Sequence, residues 1–353
     1  MAETPETIVV VSIDTEEDNW NRSRTDIAVQ NVLEIRRLAP FLDQLGVRPT
    51  YFTTYQVAIE PRAAGTLRQA CDDGTAEIGA HLHPWNTPPL TEAFVPRNSM
   101  TRNLPAALQL AKIQQLTATL EDTFGTRPRA FRAGRYGLGP ETVSALLCCG
   151  YVVDSSVSPF INLKAMDDGP NFIGAPLDVY RLGWGADPRR PNPTGELIEV
   201  PLSYGFSRRP FAFWDPTRRL LERAPFRWFH LAGLADRAGI VKRLVLCPEL
   251  ASVQDMLLLS RRLLEQGVRH LHVSWHSPTL QPGLSPFART AKAVTQLYTS
   301  LEAYFDGLSR LTTVTFATVS EAAALLGGRN MASVAQDVPI LHAGLMESHH
   351  REQ

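Results

Sequence analysis

The sequence predicts an α/β protein built on a parallel sheet, open or closed into a barrel. Three observations predict it. Six or seven short apolar runs alternate with stretches of helical periodicity. The length of 353 residues, with 44% apolar and 20% charged residues, suits one α/β barrel or two ordinary globular domains. The first apolar run is not followed by a GxGxxG or GxxxxGK(S/T) loop, so a nucleotide fold lacks its fingerprint there.

The elements follow in order. Residues 7–13, "TIVVVSI", read as a buried strand, and a helix follows near 26–45. The β-branched and aromatic run at 48–54 is a second strand. Another helix ends near Asp73, and 76–82 is a third strand. Leu104, Leu108, Ala111, Leu116, Leu120 and Phe124 form one stripe of a helix. A short strand at 129–134 precedes a helix that Pro140 opens and Gly150 stops. Residues 151–156 and 196–203 read as strands, the second inside an irregular stretch rich in Pro and Arg. Ser252 and Asp255 make a capping-box start, and Gly267 closes that helix. A strand spans 269–276. Ser285-Pro286 then opens a helix with Phe287, Ala291, Val294, Leu297, Leu301 and Phe305 on one side. A strand at 311–316 and a short helix complete the pattern. Residues 1–330 form one barrel domain in this reading, with an irregular insertion at about 160–245 and a tail at 331–353. The tail's His349-His350 pair is not read as a site.

The bulk properties exclude several function classes. A net charge of −1 gives no global field toward nucleic acid. No run of about 18 apolar residues predicts a membrane span. Cys71, Cys148, Cys149 and Cys247 form no CxxC pair, which fits a reducing compartment. The N-terminal segment has no basic n-region and no small-residue cleavage site, so the expected location is cytoplasmic.

The unusual polar residues fall at predicted strand ends, which meet at one mouth of a parallel barrel. His81 and His83 stand two apart, and residues i and i+2 share a strand face. Asp14, Glu16 and Asp18 share a face by the same rule. Two imidazoles and a carboxylate are a zinc-type ligand set with an open position. Glu16, Glu17 and Asp18 all remain open as the ligand acid. Asp14 is nearest the buried strand, and Arg132 opposite it would keep it ionised, with Arg135 competing for that place. His276 ends its strand and is the candidate general acid, with Asp154 to orient it, while His270 and His272 read as structural.

Five ordered segments together resemble the polysaccharide deacetylase family with its NodB-type domain (carbohydrate esterase family 4), over roughly residues 7–320. They are "SIDTEED", "EIGAHLHPW", "FRAGRYG", "YVVDSSVSP" and "HVSWHSPTL". The resemblance implies a distorted (β/α)7-type barrel and metal-dependent removal of acyl groups from sugars. It implies Asp14 as base, Glu16, His81 and His83 as metal ligands, and Arg132 as the arginine steadying the base. It further implies Asp154 as tuning aspartate, His276 as general acid and Tyr136 as oxyanion donor through its backbone. Three departures mark a divergent branch. Thr15 separates Asp14 from Glu16, the histidines are two apart instead of four, and the third motif has one extra residue before Tyr136.

The expected activity is therefore hydrolysis of an N-acetyl or N-formyl group on a sugar or glycan precursor, with a divalent ion, most simply Zn2+. The rival readings are a decayed glycan-binding or regulatory module and a hydrolase of a non-sugar amide. Residues 208–243 hold nine Arg/Lys against three acids, interleaved with Phe211, Phe213, Trp214, Phe226, Trp228 and Phe229. That stretch reads as a solvated helical insertion packing aromatics on the barrel. Its alternative is contact with phosphate or an anionic membrane.

Overall fold

In a computed structural model, residues 6–20, 22–221 and 241–327 are described. Strands β1 (Glu6–Thr15), β2 (Pro49–Thr53), β3 (Glu77–Leu82), β4 (Ala130–Ala133) and β5 (Val153–Asp154) are parallel neighbours in that order. Beyond β5, the edge is completed by β6 (Tyr180–Leu182) and β7 (Leu197–Glu199). β7 pairs parallel with β5, and β6 antiparallel with β7. β8 (Tyr204–Phe206) and β9 (Arg243–Val245) form a separate hairpin-like pair. β10 (His270–His276) lies on the other side of β1. β11 (Thr313–Ala317) pairs with the first half of β1, and β2 pairs with the second half. The sheet is thus a curled, distorted (β/α) barrel, with no pairing between β10 and β6 among the described residues.

β1 is buried at every position after Glu6, with an unbroken apolar run at Ile8–Val11, because both its faces are covered. Val9, Val11 and Ile13 pack in one cluster with Leu38 and Leu42 of helix α1 (Ile35–Gln44). Ile8 and Val10 pack in another with Ala322 and Ala323 of the last helix, Val319–Gly327. No helix among the described residues is long and apolar enough to cross a membrane.

Several boundaries differ from expectation, among them the strand expected at 151–156, which narrows to β5, and three have a local reason. The helix expected from 26 becomes a 3-10 turn at Gln30–Glu34 followed by α1. Its start is set by the Asp18 carboxylate, which accepts from the Gln30 and Asn31 N–H groups at 3.0 and 3.1 Å. The helix expected from Ser285 starts at Ala291, capped by Thr290. The Ser285 hydroxyl instead accepts from Phe287 and Ala288 in a separate turn. The strand expected at 196–203 narrows to 197–199, ahead of Pro201, which has no N–H for a ladder. The Ser252 cap is as expected, accepting from the Asp255 N–H at 3.2 Å. In the insertion, helix Phe211–Leu221 buries Phe211 against Phe160 and Phe206 but leaves Phe213 exposed. Phe226, Trp228 and Phe229, and the tail with His349-His350, lie outside the described residues.

One buried cation organises the loop after β3. Lys112 sits on helix Ala106–Phe124, and its Nζ donates to the carbonyls of Pro84, Thr87 and Pro89 at 2.9, 2.7 and 2.8 Å. It also lies 3.2 Å from Glu92, and its side chain is fully buried. Lys112→Met keeps the apolar stem but leaves three buried carbonyls without their donor and Glu92 with Arg24 alone. We expect it to cost about 3–5 kcal/mol in urea unfolding. A cost below about 1 kcal/mol would show that the loop holds itself without the ammonium.

Candidate metal centre and active site

The C-terminal ends of β1, β3, β4 and β10 deliver the polar residues to one mouth. Asp14 is the register partner of His276, and His81 that of Arg132. Beyond β1 the three open acids part company. Asp18 turns away to cap residues 30 and 31, so it leaves the face expected from strand alternation, because the strand ends at Thr15. Glu17 accepts from His83 Nδ1 at 2.7 Å. Glu16 is the acid whose Oε2 lies 3.5 Å from His81 Nε2 and 3.2 Å from His83 Nε2.

The outer partners set the imidazole tautomers. His81 Nδ1 faces the Arg132 carbonyl at 3.1 Å, which can only accept, so Nδ1 holds a proton there. His83 Nδ1 faces Glu17 in the same sense. Both Nε2 lone pairs therefore point inward, 3.1 Å from each other and beside Glu16. Two lone pairs and a carboxylate at such spacing repel unless a positive charge lies among them. A tetrahedral metal with bonds of about 2.0–2.1 Å requires donors at about this separation. Without a cation a proton takes that place: burial opposes the charge, but Glu17 and Glu16 lift His83 to about 10. Burial likewise opposes ionisation of Glu16, yet the His81 and His83 imidazoles beside it hold its carboxyl below the usual range.

Gly134 makes room for this cluster. A Cβ there would sit 2.5 Å from His83 Cδ2 and from the Leu82 carbonyl oxygen. Trp85 stacks on the outer face of His83, with ring centroids 4.2 Å apart. Next to Gly134, Arg135 and Tyr136 both adopt left-handed φ, 53° and 57°, in the wall of the cavity. Two successive non-glycine residues in that region store strain, which clusters at functional sites.

Asp14 and Arg132 form a buried ion pair, Oδ1 to Nη1 2.5 Å. Burial raises the Asp14 carboxyl, but Arg132, His81 and His276 outweigh it and hold it low. Arg132 is itself held by the Ser155 carbonyl and hydroxyl at 2.9 and 3.0 Å and by His272 Nε2 at 3.3 Å. Its guanidinium lies 4.2 Å from the centre of the Phe52 ring. Arg135 is engaged elsewhere, with Asp167 and Ser99.

The expectation that Asp154 orients His276 is corrected. Asp154 is fully buried, and its carboxylate accepts from the Ser156 N–H and hydroxyl at 2.9 and 2.8 Å, facing Glu199 on β7. The acid beside His276 is Glu249, which accepts from His276 Nδ1 at 2.8 Å and from its N–H at 3.2 Å. Burial disfavours the His276 charge, but Glu249 lifts its pKa to about 10. Sequence reading missed Glu249 because it follows β9, a three-residue strand inside the irregular insertion. The apolar run at 244–247, just ahead of it, was the available signal. Asp14, Glu16, His81, His83, Tyr136 and His276 all line one cavity of about 340 Å3, while Arg132 and Asp154 lie behind it.

No family model and no curated protein matches the sequence. Solved structures do match its fold. A protein assigned as a glycoside hydrolase/deacetylase from Parabacteroides distasonis aligns with TM-score 0.57 at 10% identity, over 90% of this chain and 70% of that one. One assigned as a polysaccharide deacetylase from Pseudomonas aeruginosa PAO1 gives 0.51 at 12% identity, over 93% of each chain. Puue allantoinase gives 0.51 at 9% identity, also over 93% of each. The chain therefore has the fold of deacetylases and of allantoinase, the fold the five motifs lead one to expect.

The Glu249–His276 pair carries a pH signature. A raised histidine pKa adds stability that is complete below the ordinary value of 6.5 and is lost as pH rises through about 10. Glu249→Gln should therefore show its largest stability deficit below about pH 6.5, shrinking toward about pH 10, when unfolding is followed in urea. A deficit constant across that range would reduce Glu249 to a packing role.

Proposed function

We propose that this chain is a metal-dependent hydrolase that removes an N-acyl group, acetyl or formyl, from a sugar or glycan precursor. One observation carries the reading: Glu16, His81 and His83 bring three donor atoms within 4.8 Å of one another, in the cavity that also holds Asp14 and His276. The fold shared with deacetylases supports it. A carboxylate with two imidazoles suits zinc. Such an ion, when bound, polarises a carbonyl and lowers the pKa of water.

The side chains divide the remaining work. Asp14, kept ionised by Arg132, takes the proton of the attacking water. His276, kept charged by Glu249, protonates the leaving nitrogen. Asp14 Oδ2 and His276 Nε2 are 3.9 Å apart, so base and acid can serve one acyl group. Tyr136 offers its backbone N–H to the developing oxyanion. Arg132 and Glu249 position these groups and touch no substrate. A second reading, hydrolysis of a non-sugar amide by the same residues, is favoured by the likeness to allantoinase.

Two measurements test the proposal. Elemental analysis of zinc-reconstituted protein should find about one ion per chain, lost in the His81→Ala, His83→Ala variant. Asp14→Asn should keep the ion and lose turnover of an N-acyl sugar by about 10²–10⁴-fold. Absence of metal from reconstituted wild type, or full turnover by Asp14→Asn, would overturn the assignment. A panel of N-acetyl sugars and simple amides separates the two readings.

A further inference from the structure

The charges lining the cavity are matched one by one, with a single exception. Asp14 is matched by Arg132 and Glu17 by His83, while Glu16 faces both ligand histidines. Behind His276 stands Glu249. Arg135 is bound by Asp167 and Ser99. Arg24 donates to Glu92 and to the Trp85 carbonyl, with its guanidinium over the Phe94 ring. Arg22 alone of these cations has no hydrogen bond or ion pair among the described residues, yet it lines the cavity beside Glu16 and His83.

Its position is specific. The main cavity adjoins a smaller one of about 90 Å3, walled by Trp85, Phe94 and Val95, and Arg22 and Trp85 line both. Arg22 is exposed, so its guanidinium, without a partner among the described residues, is free to turn toward a ligand at the junction of the two pockets. It offers forked donors suited to an oxyanion.

We propose that Arg22 forms an oxyanion subsite, so that the substrate carries a phosphate or carboxylate near the acyl group that is removed. This inference rests on the hydrolase reading for the identity of the reacting group. Its own content, an anion preference set by Arg22, can be measured without turnover. The substrate class is thereby narrowed from N-acyl sugars in general to anionic ones. Arg24 lines only the smaller pocket and is held by Glu92, which it shares with Lys112, whereas Arg22 lines the main cavity as well.

The test compares N-acetylglucosamine, N-acetylglucosamine 1-phosphate and N-acetylmuramic acid. Binding to chelator-treated protein is measured by calorimetry, and kcat/KM is measured with the zinc-loaded enzyme. One charge-assisted contact predicts that an anionic sugar is preferred over the neutral one by about 10-fold or more. That ratio should fall to about one in Arg22→Ala, be largely retained in Arg22→Lys and invert in Arg22→Glu. Whichever of phosphate or carboxylate shows the larger ratio identifies the oxyanion. Equal binding of neutral and anionic sugars by wild type, or a preference untouched by Arg22→Ala, overturns the subsite. If no compound is turned over while the Arg22-dependent binding preference persists, the hydrolase reading fails and the subsite stands.

Discussion

The mouth of this barrel is built around one buried contact, the ion pair of Asp14 and Arg132. Neither partner sees appreciable water, and burying an unpartnered charge costs several kcal/mol. The fold must therefore surround the guanidinium with acceptors. It recruits Ser155 after β5, His272 on β10 and the ring of Phe52 on β2, besides Asp14 itself on β1. Three parallel strands and the loop after a fourth are thus committed to the place of a single side chain on β4. A one-residue slip in any of them would turn its contact to the opposite face. The same register sets His81 beside Arg132, so the clamp and the ligand cluster are one construction.

Much of this was legible because parallel strands concentrate chemistry at their C-terminal ends. The apolar run before Asp14, the His81–His83 spacing and the polar residues ending 129–134 and 269–276 each pointed to the mouth. The structure brings those segments together at the mouth. Alternation along a strand is a two-residue rule, and it holds as far as the strand holds. It therefore serves Asp14 and His81 well. It misplaces Asp18, which stands past the end of β1 and obeys the needs of a helix N-terminus instead.

What stayed hidden depended on contacts between segments far apart in the chain. The partner of His276 is 27 residues away, after a three-residue strand in a Pro- and Arg-rich stretch without clear periodicity. Asp154, at a cleaner strand end, looked the better partner from sequence alone. Its carboxylate is instead consumed by its own near neighbour Ser156, a local bond that competes with any distant one. Choosing among Glu16, Glu17 and Asp18 likewise needed three dimensions. Each acid has its own task, and only the directions of their oxygens distinguish those tasks.

Gly134 has a consequence for how such a site can change over time. The spacing of the acids and of the histidines differs here from the form that the resemblance implies. No neighbour can compensate at Gly134, where any Cβ meets both the His83 ring and the rigid Leu82 carbonyl. Sequence divergence is therefore channelled. The smallest residue at the mouth is closed to exchange unless its surroundings shift. A lineage that exchanged this glycine would have to rebuild the strand end that carries His83, and an intermediate with a half-rebuilt strand end would be selected against.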